Sequence, residues 1–408
     1  MSGRRAPLAA LALVALAGTG VVAAAGVGSA DTYQAMRLYA EAMSAIHDGY
    51  VDELAWTKMV RDGIRGAVQG LDGDSTVREP SPSADHGHHA ILEAGDVGLA
   101  LARRAGLLTV VAAPAGLPAA GAGIRSGDRI LTFDGEAVEA ATAETAARRL
   151  RGLPGSQVSL TVIRSGWAEA KPFTLTRVDP PPTAPSHRLL DGAILYVRIP
   201  RVDDTAARTL GHVLTASPAD RATGLVLDLR DTAGGQIEAA RAIASLFLDP
   251  GCVITHIESR GSGTPPTLTT VSAPSRWNRP VVLLVSRGTA SAAEVLAGAM
   301  QDTRRAVIVG SPTFGDASTQ STIPLSDGST LSLTTARYLT PRRHPITGHG
   351  IAPDVAPSGG PRGATAGTDP ELELASEMVR RRAFSSTAAW VRPPPRSRSG
   401  AATLPPEK

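Results

Sequence analysis

The apolar positions change their spacing along the chain, and each change predicts a different kind of element. Between residues 31 and 71, apolar side chains such as Met36, Tyr39 and Met43 recur every three or four positions, which indicates helices. Short β-branched runs later in the chain predict buried strands instead. Each of three such runs is followed by a helical pattern, and they occupy residues 193–199, 224–229 and 281–285. The second half therefore reads as an α/β region in which strands alternate with helices.

Polar and proline-rich stretches divide the chain into segments. Residues 78–90 and 179–186 read as linkers, and residues 359–408 as a linker, a short amphipathic helix and a tail without regular structure. His86, His88 and His89 lie in the first linker with no carboxylate or cysteine at a regular spacing, so no metal site is predicted. The predicted segments are 1–30, a leader or anchor; 31–77, helical; 78–90, a linker; 91–178, a small module; 179–186, a linker; 187–358, the α/β core; and 359–408.

The composition argues against several classes of function. The 41 basic and 38 acidic residues leave a net charge of +3, too small to predict a nucleic-acid partner. Cys252 is the single cysteine, so neither an intrachain disulfide nor a thiolate metal cluster is possible, and no cofactor is predicted. The lysines are Lys58, Lys171 and Lys408, so the predicted core contains none.

The first 30 residues have the pattern of an export signal. Two arginines, Arg4 and Arg5, precede an uncharged run that ends in small residues at Ala30, as in a cleaved secretory leader. The run at residues 6–30 is also long enough to anchor the chain in a membrane. Either interpretation predicts an exported protein of the periplasm, cell envelope or extracellular space.

A turn of small residues follows the apolar run at 281–285. It reads Ser-Arg-Gly-Thr-Ala-Ser-Ala-Ala-Glu over residues 286–294 and leads into a predicted helix, with Ser291 at the helix start and Glu294 three positions later. This spacing fits a capping box, in which both side chains satisfy backbone donors. It also fits a nucleophilic hydroxyl beside helix N–H groups that would stabilise an oxyanion. The local pattern leaves both interpretations open.

The wider sequence, from Gly224 to Val355, resembles the carboxyl-terminal processing peptidases, which are serine peptidases with a PDZ module and a Ser-Lys dyad. Ser291 matches the nucleophile, within Ser/Thr-Ala-Ser-Ala-x-Glu, and Gln320 matches the glutamine that supports the base. The resemblance implies an α/β multidomain fold with an N-terminal helical segment, a PDZ-like module and a core of mixed sheets with flanking helices, of crotonase/ClpP-like ββα architecture. It also implies an oxyanion hole formed by Gly234, Gly235 and the amide of Ala292.

Residues 91–178 resemble a PDZ domain, chiefly through Gly-Asp-Val-Gly-Leu-Ala-Leu at 95–101 and the segment 119–134. PDZ domains add an extended peptide to a sheet edge and hold its terminal carboxylate with loop N–H groups. The resemblance therefore implies protein or peptide substrates that are bound by their C-terminal tails. The implied peptide-binding residues are Gly95, Val97, Gly98 and Leu99.

Several positions depart from the family pattern, and Thr232 and Ala233, just before the glycine pair, are among them. The family places its lysine base in Phe-Gly-Lys-Gly, where this chain has Asp316, and its Pro-His-Ser motif reads Gly73-Asp74-Ser75 here. A carboxylate near its reference pKa of about 3.9 is a much weaker base than a group tuned near 7. Glu294, Asp302 and Thr313 match positions that flank the family's active site.

Three hypotheses follow from the missing lysine. The chain is a serine endopeptidase that cleaves proteins near their C-terminus with a replacement base, or an inactive pseudopeptidase that binds tails as a scaffold or adaptor, or a structural envelope protein. The replacement base would be Asp316 with a raised pKa or a histidine of the core, and spacing assigns none of the five: His187, His212, His256, His344 and His349.

Overall fold

The computed structural model describes residues 30–72, 74–78, 95–104, 106–138, 143–191, 193–260, 266–272, 277–357 and 369–383. The predicted leader up to residue 29, most of the predicted linker at 78–90 and the tail beyond residue 383 lie outside the described residues. The chain separates into two compact units, residues 1–64 and 65–408.

The described part of the first unit is helical, as the spacing predicted. It contains helix α1, Ala30–Gly49, and the beginning of helix α2, Trp56–Gln69. The rings of His47 and Trp56 stack with 4.5 Å between their centroids. Among the described helices, none has both the length and the apolar character needed to cross a bilayer.

Residues 95–178 of the second unit form an antiparallel sheet with two helices. The strand order is β2-β3-β4-β6-β7, and β5 pairs with β4. Val110, Phe133, Leu150 and Leu160 are buried together and form the core of this module. After the short strand β1, Thr76–Arg78, its elements are β2, Ala100–Arg104; β3, Leu107–Ala112; α3, Pro118–Gly121; β4, Arg129–Phe133; β5, Glu136–Ala137; α4, Ala143–Leu150; β6, Gln157–Ile163; and β7, Lys171–Thr176.

A second sheet contains the apolar runs that the sequence predicted as strands. Its order is β14-β13-β10-β9-β8, and all its pairs are parallel except β8 with β9. Its strands are β8, Ser186–Leu190; β9, Ile194–Arg198; β10, Gly224–Asp228; β13, Val281–Val285; and β14, Val307–Gly310. Because parallel strands all end at one edge, the turns after β10 and β13 lie next to each other.

Helices cover both faces of this parallel sheet, which explains why its strands are apolar throughout. On one face, Leu225, Leu283 and Val285 pack against three helices, and on the other face Val282 and Leu284 pack against one. The three helices on the first face are α5, Asp204–Thr215; α7, Ile237–Ser245; and α8, Ala292–Asp302. The short helix α6, Ser217–Arg221, follows α5, and the helix on the other face is α9, Pro370–Ala383.

The third sheet is antiparallel and has the order β1-β16-β11-β12, with β15 also paired to β16. The turn containing Asp327 and Gly328 joins β15 to β16, as the sequence predicted. The short strands β1, β8 and β12 were not predicted. The new strands of this sheet are β11, Val253–Ser259; β12, Thr267–Thr269; β15, Ser318–Pro324; and β16, Thr330–Leu339.

Candidate active site

The turns that follow β10 and β13 are joined by hydrogen bonds. The Thr289 hydroxyl donates to the carbonyl oxygen of Leu229 at 2.7 Å, and the Ala290 amide donates to the carbonyl oxygen of Thr232 at 3.0 Å. Thr289 is fully buried, so losing this bond would leave an unsatisfied polar group in the core. These bonds hold the segment that carries Ser291 beside the segment that carries the predicted oxyanion glycines.

Ser291 lies at a sharp turn between β13 and α8. Its backbone has φ 59° and ψ −124°, a conformation that few residues other than glycine adopt. Such conformations persist only where the surroundings enforce them, and they are frequent at functional sites. The Ser291 amide donates to the Glu294 carboxylate at 3.0 Å, and α8 begins at the fully buried Ala292.

The predicted oxyanion glycines have backbones that require glycine. Gly234 and Gly235 have φ of 80° and 136°, both in the region that side chains disfavour. A Cβ atom at Gly235 would lie 2.4 Å from the carbonyl oxygen of Val202. The Gln236 amide donates to this carbonyl oxygen at 2.8 Å, which fixes the close approach. The glycine turn is therefore held against Val202, while the bonds from Thr289 and Ala290 hold the preceding residues beside the Ser291 turn.

Glu294 is fully buried and connects Ser291 to the loop that carries Asp316. One carboxylate oxygen accepts from the Thr313 hydroxyl at 2.5 Å and from the Gly315 amide at 2.7 Å. The other oxygen accepts from the Ser291 amide at 3.0 Å and from the Asp316 amide at 2.9 Å. Burial outweighs these four bonds and raises the pKa of Glu294 to about 7. The sequence identified Glu294 and Thr313 as flanking positions, and both contribute to this network.

Asp316 lies close to Ser291. Because a single Glu294 oxygen accepts from both amides, the Ser291 and Asp316 nitrogens are within about 6 Å of each other. Burial raises the pKa of the Asp316 carboxyl, and the positive charge of Arg104 opposes that shift. Asp316 is thus a carboxyl group whose affinity for a proton exceeds that of an exposed aspartate.

A cavity of about 530 Å³ lies beside Asp316, within the size range of ligand-binding pockets. Its lining comes from β1, β2, the start of α4, β15 and β16. Ser291 is not one of the described residues that line it. Gln320 lines the cavity, where its amide donates to the carbonyl oxygen of Asp74 at 3.2 Å and its side-chain oxygen accepts from the Ser332 hydroxyl at 3.3 Å. The charged lining residues are Asp74, Arg78, Arg103, Glu144 and Asp316.

Asp74 is a residue of this region that the sequence did not identify as functional. Burial and the charges of Asp316 and Asp72 raise its pKa to about 6, while Arg104 and Arg103 oppose the shift. Its departure from the Pro-His-Ser motif was visible in the sequence. Its proximity to Asp316 was not, because some 240 residues separate the two and only the pairing of β1 with β16 brings them together.

None of the described histidines hydrogen-bonds to Ser291. His256 contacts the carbonyl oxygen of Pro341 at 3.1 Å, and His349 contacts that of Thr347 at 3.1 Å. His187, His212 and His344 are exposed, on β8, on α5 and in the segment after β16 respectively.

The lysines outside the core have other partners. The Lys58 amine pairs with Asp62 at 2.7 Å, and the Lys171 amine lies 4.6 Å from the ring centroid of Trp167. Lys408 lies outside the described residues. Of the replacement bases that the sequence suggests, Asp316 is the one whose backbone amide shares a Glu294 oxygen with the amide of Ser291.

The predicted peptide-binding loop precedes β2. Val97 is fully buried, and its carbonyl oxygen accepts from the Ala119 amide at 3.0 Å. Gly98 has φ 78°, and its amide donates to the Asp96 carboxylate at 2.6 Å. Gly95 forms a bridge with Gly152, and Leu99 is buried. The loop is thus tightly held, and the Gly98 amide is already engaged by Asp96.

Known proteins resemble this chain in both sequence and fold. Residues 193–356 match peptidase family S41, and residues 109–164 match a PDZ domain. A carboxyl-terminal-processing protease of Synechocystis is 36% identical over 251 residues, which cover 60% of this chain and 58% of that protein. A carboxy-terminal-processing protease of Bartonella bacilliformis is 30% identical over 329 residues, which cover 80% of this chain and 75% of that protein.

A solved structure agrees with these matches. The photosystem II D1 C-terminal processing protease is 29% identical, with a TM-score of 0.65 over 85% of this chain and 96% of that chain. The predicted fold class is thereby confirmed, with a helical N-terminus, a PDZ domain and an α/β peptidase core. The chain belongs to the carboxyl-terminal processing peptidases, the serine peptidases of family S41 that carry a PDZ domain.

Proposed function

We propose that the protein is an exported, PDZ-guided serine endopeptidase that cleaves proteins near their C-terminus, with Ser291 as nucleophile and Asp316 as base. The observation that carries this proposal is the Glu294 carboxylate, which binds the Ser291 and Asp316 amides through one oxygen. A nucleophile and a base need such fixed geometry, because proton transfer requires hydrogen-bond reach. The strained backbone of Ser291 and the glycine turn at Gly234 support the same proposal.

In the proposed mechanism, the Ser291 oxygen attacks the substrate carbonyl carbon while the hydroxyl proton passes to an Asp316 oxygen. The new C–O bond forms as the carbonyl electron pair moves to oxygen, and the amides of Gly234, Gly235 and Ala292 stabilise the resulting oxyanion. Asp316 then returns the proton to the departing nitrogen as the C–N bond breaks. Water attacks the acyl-enzyme in the same manner, with Asp316 again as base.

The PDZ domain and the cavity support substrates that are held by their C-terminal tails. In this proposal, the loop at Gly95, Val97, Gly98 and Leu99 and strand β2 hold the tail, since PDZ domains add a peptide beside such a strand. Leu101, Ala102 and Arg103 of β2 also line the cavity that contains Asp316. A peptide that lies along β2 would therefore pass Asp316, the proposed base.

The second candidate is an inactive pseudopeptidase that binds tails as a scaffold or adaptor. The observation in its favour is that neither a lysine nor a histidine among the described residues bonds to Ser291, so proton transfer depends on a carboxylate. Loss of a general base typically costs about 10²–10⁴-fold in rate. Tail binding through the PDZ domain would then be the remaining function.

Cleavage of a fluorogenic peptide that ends in apolar residues tests the proposal. We expect measurable hydrolysis by the wild-type chain, no hydrolysis by Ser291→Ala, and about 10²–10⁴-fold slower hydrolysis by Asp316→Asn, because the amide cannot accept the proton. Asp220→Asn, an exposed carboxylate change in α6, serves as the matched control and should retain the wild-type rate. Binding of the peptide without any Ser291-dependent cleavage would instead favour the pseudopeptidase.

A further inference from the structure

Asp74 is fixed beside the proposed base by the turn that precedes β1. The Asp72 carboxylate accepts from the Asp74 amide at 3.0 Å and from the Ser75 amide at 2.6 Å. The Ser75 hydroxyl in turn accepts from the Thr334 amide of β16 at 3.1 Å. Together with the Gln320 bond to the Asp74 carbonyl oxygen, these contacts anchor the turn to the sheet that contains β15 and β16. The side chains of Asp74 and Asp316 consequently line one cavity.

Charges of both signs surround these two carboxyls, and Arg103 and Arg104 oppose the rise in the pKa of Asp74. Arg104 is held against the Asp316 loop by bonds to the carbonyl oxygens of Phe314 and Gly348, at 3.0 and 3.4 Å. Arg103 donates to the carbonyl oxygen of Gly106, on its own hairpin. Of the other charged residues in the cavity lining, Arg78 pairs with Glu144 at 3.0 Å. Asp72 adds a further negative charge on the Asp74 side.

We propose that Asp74 is a positioning residue that acts through Asp316: its negative charge makes Asp316 a stronger acceptor for the Ser291 hydroxyl proton. This inference rests on the proposed function, in which Asp316 is the base. Two carboxylates in one low-dielectric space repel each other, and protonation of either one relieves the repulsion. When Asp316 takes the Ser291 proton, Asp74 is the one member of this pair that still carries a negative charge.

The electrostatics of the cavity fit this role. The charge of Asp316 is among the causes that raise the pKa of Asp74 to about 6, and the repulsion between the two carboxyls is largest when both are ionised. Such a pair titrates as a unit, with its second ionisation displaced toward neutral pH. Asp74 and Asp316 both depart from the family motifs, and both line this cavity. In this proposal the two replacements act together, because each carboxyl raises the proton affinity of the other.

The pH dependence of kcat/KM tests this inference. In Asp74→Asn, the repulsion is gone and Asp316 holds a proton less tightly. We therefore expect the acidic limb of the profile to move to lower pH and the plateau to fall about tenfold, since a weaker base transfers the proton less readily. Asp74→Glu keeps the charge and should restore the position of the limb. A lower plateau with an unmoved limb would indicate a purely structural role and would overturn the inference.

A second measurement does not depend on activity. In the Ser291→Ala background, the side-chain carboxyl ¹³C resonance of Asp316, assigned by its loss in Asp316→Asn, is followed against pH with and without Asp74→Asn. We expect the midpoint to move to lower pH when Asp74 is replaced, and an unmoved midpoint would contradict the inference. Absence of all peptide cleavage would refute the proposed function alone, because this titration still decides whether the two carboxyls are coupled.

Discussion

Glu294 is the residue on which the geometry of the candidate site depends. Its carboxylate receives four hydrogen bonds from donors in two separate segments, although it is fully buried. Of the four donors, the Thr313 hydroxyl is the one that could accept a hydrogen bond from a protonated Glu294, because a hydroxyl oxygen accepts as well as donates. It already accepts from the Ile351 amide at 2.6 Å. The carboxyl group can therefore hold a proton without losing its place between Ser291 and Asp316.

Replacing Glu294 by Gln should damage both stability and activity. The side-chain amide presents two N–H groups to a site in which only the Thr313 hydroxyl can accept, so at least one buried N–H group is left unsatisfied, at a cost of about 1–3 kcal/mol. Urea unfolding and the peptide assay would measure the two losses. Glu258→Gln, an exposed change on β11, is the control. Wild-type stability in the variant would mean that the four bonds contribute little.

The raised pKa of Glu294 also predicts a pH dependence of stability. Between the ordinary value of 4.5 and about 7, the folded protein binds this proton more tightly than the unfolded chain does. The contribution of Glu294 to the free energy of unfolding must therefore fall as the pH rises through that window. Unfolding measured at several pH values should show this fall in the wild type, and Glu294→Gln should lack the part due to this group.

At the scale of elements, the sequence was most informative where one local pattern determines the structure. The runs at 224–229 and 281–285 became buried parallel strands, and the helix predicted to start at Ser291 became α8, Ala292–Asp302. The strands β1 and β12 have only three residues each, and β8 begins with polar ones, so pairing with distant strands determines them. The resemblance placed Ser291 near the glycine turn, because each lies in a local family motif. The sequence could not place Asp74 near Asp316, because contacts with distant strands bring these two residues together.

Helix α9 is attached to the core by an ion cluster centred on Arg230. The guanidinium bonds to Asp228, which is fully buried, and to Asp369 and Glu371 at the start of α9. Without Arg230, the buried Asp228 keeps a longer pair with Arg198, at 3.4 Å, and the Tyr196 hydroxyl bond, so its charge is less well compensated. We expect Arg230→Ala to lower the free energy of unfolding by about 3–5 kcal/mol, measured by urea denaturation.

The control for this change is Arg381→Ala. Arg381 pairs with Glu377 one turn away on the same helix, but its side chain is 78% exposed, and such pairs contribute about 0.3–0.5 kcal/mol. Equal losses in the two variants would show that the Arg230 cluster does not attach α9 more strongly than a surface ion pair does.

At the scale of the whole second unit, the PDZ domain lies directly against the candidate site. Ala102 and Val111, on β2 and β3, form a buried cluster with Ala290 and Phe314, which flank Ser291 and Asp316 in sequence. The Arg104 guanidinium lies 5.1 Å from the centroid of the Phe314 ring. The cluster packs against the residue before the proposed nucleophile, so we expect access to Ser291 to depend on where the PDZ domain sits.

Val111→Asp tests that dependence. Val111 is 4% exposed and belongs to this cluster rather than to the core of the PDZ domain, so an aspartate there places an unpaired charge in the contact without disrupting the PDZ fold. We expect faster hydrogen exchange over residues 286–292 and about tenfold faster hydrolysis of a short peptide. A loss of about 1.4 kcal/mol in the free energy of this contact would raise the population of molecules with an accessible Ser291 about tenfold. Val111→Ala, which keeps the contact apolar, should change both quantities less. Unchanged exchange and hydrolysis in Val111→Asp would mean that the PDZ domain does not limit access to Ser291.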